Sequence, residues 1–292
     1  MRRYELSDRQ WACIEPLLPH RTHHGKAGHP FNDHRPLVNA ILWVLHSGAP
    51  RRDLPEHYGP RETAFYRFNR WRKDGTWSRL ATALLDQMDD EGKIDHDPWC
   101  IDGSVIRASR AAAGARKHAR PARRPGGRQE TQMQEPVDHA LGRSRGGFGT
   151  KVHVVRDGGG TIACIHLTAG QRHESKFFEQ TMARRLFHRR KGTRRRPRRL
   201  AGDKGYSYPR IRRWCRRRGV EAVIPTRKDQ PRDEEFDKAA YKRRNIVERV
   251  IGWFKEYRRL GTRHEKLAVN FVAFWLVAVM DKALKSLFPN RA

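Results

Sequence analysis

Acidic residues are scarce in this chain of 292 residues. The 32 Asp and Glu stand against 62 Lys and Arg, a formal net charge of +30. A chain so short of its own counter-charge is expected to find it on a polyanion. Cysteine is scarce too. Cys13, Cys100, Cys164 and Cys215 are scattered, so no pair has the close spacing of a zinc site or redox motif, and reduced cytosolic thiols are the simple expectation. Long apolar runs are missing. The mean hydropathy is −0.89, no uninterrupted run approaches the roughly 18 residues of a membrane span, and the charged start MRRYELSDRQ does not read as a signal peptide. Nucleic acid is therefore expected as the polyanion, with no membrane partner. No recognisable RNA-binding motif or internal repeat is present.

What is present is a 37% apolar fraction, enough for a core in one large or two ordinary domains. Residues 1–92 read as all-helical, with segments at 8–17, 35–45 and 61–72. The last two are joined by HSGAPRRDLPEHYGP, punctuated by Gly48, Pro50, Pro55, Gly59 and Pro60. This predicts a small helix-turn-helix-like DNA-binding domain. In its third helix Phe65, Phe68 and Trp71 face inward, while Arg61, Arg67, Arg70 and Arg72 stay free for phosphates. An ordinary bundle with a cationic surface remains the alternative. His20, His23, His24, His29 and His34 lie among Pro and Gly without helical spacing and read as a loop rather than a ligand set.

From residue 95 the periodicity changes. PWCIDGSVIRA, two strands around the turn 157–160, RRLAGDKGY and VEAVIPT read as strands, interleaved with helices and closed by a long helix over 241–260 and an apolar one near 271–287. An α/β domain over 95–292 follows, a mixed sheet with helices on its faces, expected to fold by itself. The stretch 111–147, rich in Arg, Pro, Gly and Gln, is predicted as a mobile basic loop.

Against this basic background the acids are informative. Between Pro98 and Gln129 the one carboxylate is Asp102, among eight Lys and Arg; between Arg184 and Arg218 it is Asp203, among seventeen. Each sits at a strand end before a turn, in CIDGS and AGDKG, where a side chain can face a cleft. On a continuous helix Tyr241, Arg244, Glu248 and Lys255 fall at about 0°, 300°, 340° and 320°, one stripe away from the apolar side of Ile246, Val247, Val250, Ile251 and Phe254. Arg259 lies among the cations near Glu248 in the same reading. Read alone, the stripe is also consistent with a solvated face carrying an Arg244–Glu248 ion pair of about 0.2–0.5 kcal/mol. Hard divalent cations choose such carboxylates, and paired ions serve phosphoryl transfer.

The motifs CIDGSVIRA, GRSRGGFGTKVHVV, LAGDKGYSY and RRNIVERVIGWFKEYRRLGTRHEK, with LSDRQWACIEPLLP and ILWVLHSGAPRRDLPEHYGP before them, resemble those of bacterial insertion-sequence DDE transposases, most like the insertion-sequence-five family. The resemblance implies a ribonuclease H-like catalytic domain in which Asp102, Asp203 and Glu248 form the metal-binding, catalytic triad for two Mg²⁺ ions, with Mn²⁺ able to substitute. It also implies that Tyr241, Arg244 and Lys255 position the transposon end. The implied partner is double-stranded DNA, both element ends and target, bound by a homodimer in the bacterial cytoplasm. Two departures stand out: Arg51 where the pattern has an aromatic residue, and a longer, more basic segment at 116–134. The alternatives are a nonenzymatic DNA-binding regulator, such as a decayed transposase, and a related nuclease that cuts without joining.

Overall fold

The computed structural model describes residues 2–19, 33–115, 134–187 and 196–289, without the side chains at 247 and 248. The chain opens with α1 (Asp8–Ile14), started by a capping box in which the Ser7 hydroxyl accepts from the Gln10 N–H and the Gln10 side chain accepts from the Ser7 N–H. Helices α2 (His34–Ser47) and α3 (Arg61–Lys73) fall where expected. A further helix, α4 (Thr76–Asp90), follows directly. Its Trp77, Leu80, Ala81, Leu84, Leu85 and Met88 repeat at helical spacing and are all buried. Of the histidine-rich stretch only His34 is described; it is buried beside Arg67, and the loop reading for 20–32 lies outside the described residues.

The second part runs β1 (Trp99–Arg107), α5 (Arg110–Ala113), β2 (Gly142–Ser144), β3 (Gly147–Arg156), β4 (Ile162–Ala169), α6 (Phe178–Ala183), β5 (Arg199–Ala201), α7 (Pro209–Arg216), β6 (Glu221–Val223), α8 (Lys238–Lys242), α9 (Ile246–Glu256), α10 (Arg258–Gly261) and α11 (Ala268–Leu287). The sheet order is β4-β3-β1-β5-β6. The β4–β3 and β3–β1 pairs are antiparallel, β1–β5 and β5–β6 parallel, and β2 adds to the start of β3. This is the ribonuclease H-like mixed sheet that the resemblance implied. Of the stretch expected as a mobile loop, the flanks belong to the fold: α5 on one side, a turn with buried Ala140 and then β2 on the other. Its middle, 116–133, lies outside the described residues.

One hydrophobic core runs through both parts. It joins Leu42, Phe68, Leu84, Val155, Phe254 and Phe274. Helix α11 packs against α2, α3 and α4, with Phe274 stacked on Phe68 at 4.5 Å between centroids. Its buried Asp281 accepts from His46 of α2 at 3.1 Å and from the Tyr257 hydroxyl at 2.7 Å. Burying a carboxylate is costly unless donors surround it, and here they come from both parts of the chain. No helix among the described residues is long and apolar enough to cross a membrane.

The long helix expected over 241–260 is not continuous. A 3-10 turn over 243–245 separates α8 from α9, and Tyr257, with ψ of 98°, separates α9 from α10. Tyr257 leaves the helix to bury its ring and hydroxyl against Asp281. Beyond it α10 abuts the end of α2 at Gly48, whose φ is +68° and whose Cβ, if it had one, would lie 2.7 Å from the Arg258 Cβ. The wheel is corrected accordingly. Three residues at about 120° rather than 100° swing Glu248 and Lys255 by about 60° from Tyr241. Arg259 is not on an exposed polar face: it is buried and paired with Glu265 at 2.6 Å.

Candidate metal centre at the end of the central strands

Strands β1 and β5 last pair at Cys100 and Ala201. Past that pair the two chains separate, and each carries an acid into the gap. Asp102, expected at a strand end before a turn, instead lies within β1, which runs on to Arg107 because β3 pairs with it to that point; Asp102 stands opposite Val154. Asp203 follows β5 directly and caps the turn 204–206, its carboxylate accepting from the Gly205 N–H at 2.8 Å. A third acid joins them that the sequence did not single out. Glu174 opens the turn 174–177 after β4, and one of its carboxylate oxygens, one of Asp102 and one of Asp203 lie within 4.8 Å of one another.

Two cations flank this group. Arg244, in the 3-10 turn before α9, brings a guanidinium nitrogen to 3.7 Å from Asp102. Lys151 of β3 places Nζ 3.0 Å from Glu174. Burial pushes the Asp102 carboxyl up to about 6; the Gly103 N–H and Arg244 oppose that rise, while Glu174 and Asp203 add to it. Tyr206 is buried beside them, and its hydroxyl has no hydrogen-bond partner among the described residues. Burial and then the three carboxylates hold its proton in place. A crowded set of carboxylate oxygens, with a buried hydroxyl under their influence that has no partner among the described residues, fits a hard divalent cation with its coordinated water.

The other expected site residues are placed as follows. Glu248 falls in α9 by its backbone, but its side chain lies outside the described residues. The helix itself is anchored to the sheet, because the buried Arg156 of β3 donates to the Ile246 carbonyl at 2.8 Å. Tyr241 is half-buried against Phe236, and Lys255 is exposed on α9. Arg244 was expected beside Glu248, and its described carboxylate contact is Asp102. In α3, Arg61 and Arg70 are exposed, Arg61 being paired with Glu62. Arg67 is corrected: it is 6% exposed, bonded to His34 at 3.0 Å and set over the Trp71 ring. It braces the helices and is closed to a DNA phosphate. At the departure noted above, the Arg51 guanidinium lies over the Phe65 ring, a flat cation stacked as an aromatic side chain stacks.

The sheet order and the acids converging past β1 and β5 define a ribonuclease H-like protein with a carboxylate centre. The sequence profile described as "Transposase DDE domain" matches residues 95–280, and the chain belongs to that family. Residues 6–81 match a second profile, described as "Putative transposase of IS4/5 family". The chain is similar to "Uncharacterized protein y4sN" of Sinorhizobium fredii, 35% identical over 112 residues that cover 38% of this chain and 83% of the relative. It is also similar to "Putative transposase for insertion sequence element IS402" of Burkholderia cepacia, 39% identical over 79 residues, 27% of this chain and 35% of the relative. Among solved structures, "Mos1 transposase paired-end complex with left transposon end" aligns over 91% of this chain and 81% of that one, at 12% identity and a TM-score of 0.26.

Proposed function

We propose that this protein binds the ends of its own insertion sequence and catalyses divalent-metal-dependent cleavage and strand transfer there. The observation that carries the reading is the meeting of Asp102 and Asp203, each a lone acid in a basic stretch, at one half-buried centre. Asp102, Asp203 and Glu248 would hold Mg²⁺ or Mn²⁺. Two ions bound there supply a lowered proton affinity for the attacking oxygen and counter-charge for the leaving one. Arg244 neutralises part of the acid charge and offers a guanidinium to a phosphate. Tyr241 and Lys255 flank the transposon end. A water cuts the phosphodiester at that end, leaving a 3′-hydroxyl, which then attacks target DNA.

The helical part, with Arg61 and Arg70 exposed on α3, is the proposed reader of the element ends. Residues 1–92 and 95–292 thus divide recognition from chemistry while sharing a core. Two protomers pair two ends, in the cytoplasm of the bacterium that carries the element. The test is incubation of the purified protein with labelled element ends, supercoiled target and Mg²⁺ or Mn²⁺. Cleavage at the end and a joined product are expected. Binding without cleavage in either metal would make the protein a DNA-binding regulator, and cleavage without joining would make it a nuclease.

A further inference from the structure

The motif through which the chain resembles its family leaves Glu174 unassigned, yet Glu174 is seated in the centre with unusual care. By strand alternation Gly103 points to the face opposite Asp102. A Cβ at Gly103 would lie 2.8 Å from Glu174 Cγ and Cδ, so the Glu174 side chain fills the space that any other residue at 103 would take. On the same face Lys151 stands across from Val105 in the β1–β3 ladder. Its ammonium meets Glu174 with the two side chains only 14% and 19% exposed. The turn that presents Glu174 is fixed at its start by the His173 ring, which accepts from the Ser175 N–H, and by Arg210, which donates to the Ser175 carbonyl.

A structural ion pair accounts for Lys151 and Glu174 but not for where they sit. Placing a third carboxylate beside Asp102 and Asp203 raises the repulsion among them, and a pair serving stability alone gains nothing from that position. The buried Tyr206 hydroxyl is the second observation. It is 0% exposed, has no hydrogen-bond partner among the described residues, and feels all three carboxylates, Glu174 foremost. A buried donor that feels the cluster and has no acceptor among the described residues suits a group that takes its place there on binding, such as a water of hydration.

We propose that Glu174 is an additional carboxylate ligand of the metal centre and that Lys151 occupies its place in the metal-free protein, so that ammonium and divalent cation compete for one carboxylate. This rests on the metal-dependent reading above and adds to it a ligand and a built-in competitor. Losing a charged ligand lowers the affinity of such a site by about tenfold or more, and losing the competitor raises it. Because Lys151 acts through Glu174, the two effects are not independent.

The test is Mn²⁺ binding to the full-length protein without DNA, read from the resonance of free Mn²⁺, with thermal melting of each variant in the presence and absence of the ion. Asp203→Asn is expected to lose saturable binding, and Glu174→Gln to weaken it about tenfold or more. Lys151→Met is expected to bind several-fold more tightly than the parent and to gain more melting temperature from Mn²⁺. The double variant should bind like Glu174→Gln alone. Parental affinity in Glu174→Gln, with binding lost in Asp203→Asn, overturns the proposal and leaves the metal reading standing. Unchanged or weaker binding in Lys151→Met overturns the competition, and that result does not depend on the Glu174 variant folding. Undiminished binding in Asp203→Asn removes the metal reading and the proposal together.

Discussion

Asp102 and Asp203 are held differently although their chemistry is the same. Asp203 is locked by its own turn, through the Gly205 N–H at 2.8 Å, whereas Asp102 extends from mid-strand toward Arg244. Both positions lose a negative charge at nearly constant shape in Asp102→Asn and Asp203→Asn. Each variant is expected to bring end cleavage to background while retention of labelled DNA in a gel shift stays within a few-fold of the parent. Near-normal Mg²⁺-dependent cleavage by either variant would take that residue out of the centre. Arg244→Ala tests whether its guanidinium does more than neutralise Asp102. Small displacement of a reacting group costs about 10²-fold in rate, so a loss of that order in single-turnover cleavage, with melting little changed, marks a phosphate contact. A loss below about threefold would return Arg244 to a purely structural pairing.

At the scale of elements, the β3–β4 ladder carries a pair whose titration is legible. His153 and His166 face each other across the ladder and are buried against Phe177. Burial pushes His153 down to about 3, with His166 and Lys151 adding to the effect; burial pushes His166 down to about 4, with Arg184 adding to it. The unfolded chain binds these protons below about 6.5 and the folded one does not. The stability linked to their neutral forms is therefore present above about pH 6.5 and is lost as pH falls toward 4. Melting temperature should drop steadily across that window, and His153→Gln should flatten the drop. An unchanged slope in that variant would place the acid sensitivity elsewhere. The break between α9 and α10 belongs to this scale as well. Apolar spacing over 246–254 announced a helix with one buried side, and Val250 and Phe254 are buried. Nothing in that spacing announced that Tyr257 would turn out of the helix to reach Asp281, because its partner lies 24 residues further on.

At the scale of the whole molecule, charge and the shared core make separate predictions. A surface this basic that contacts about 6–10 phosphates loses roughly 10³–10⁵ in affinity for nonspecific duplex between 50 and 200 mM salt. Titration of a labelled duplex across that range checks it, and a flat response would sink the polyanion reading. The sequence suggested that residues 95–292 fold alone, but the core gives the opposite expectation. Removing 1–94 uncovers the side of α11 that packs on α2, α3 and α4, and strips His46 from the buried Asp281. An exposed apolar face of that kind promotes aggregation. The fragment is expected to aggregate or to melt without a cooperative transition, and a sharp calorimetric transition would show that α11 needs no cover.

By itself the sequence determined the local and compositional features: the basic balance, the strands around residues 102 and 203, the hairpin at 157–160 and the inward faces of α3 and α9. These follow from periodicity and turn chemistry within a few residues, and the lone acids were visible because their surroundings are so basic. Only the tertiary structure decided which groups meet. It brought Glu174 from the far side of a hairpin to Asp102, buried Arg67 under the N-terminal helices, set Arg51 over Phe65 and joined two apparent domains through α11. Charge and spacing along a chain record what each residue is able to do. Which acid finds a second acid, and which cation finds a ring instead of a phosphate, depends on strands and helices far apart in sequence being packed to within a few ångströms, where burial and Coulomb energy select among the possibilities.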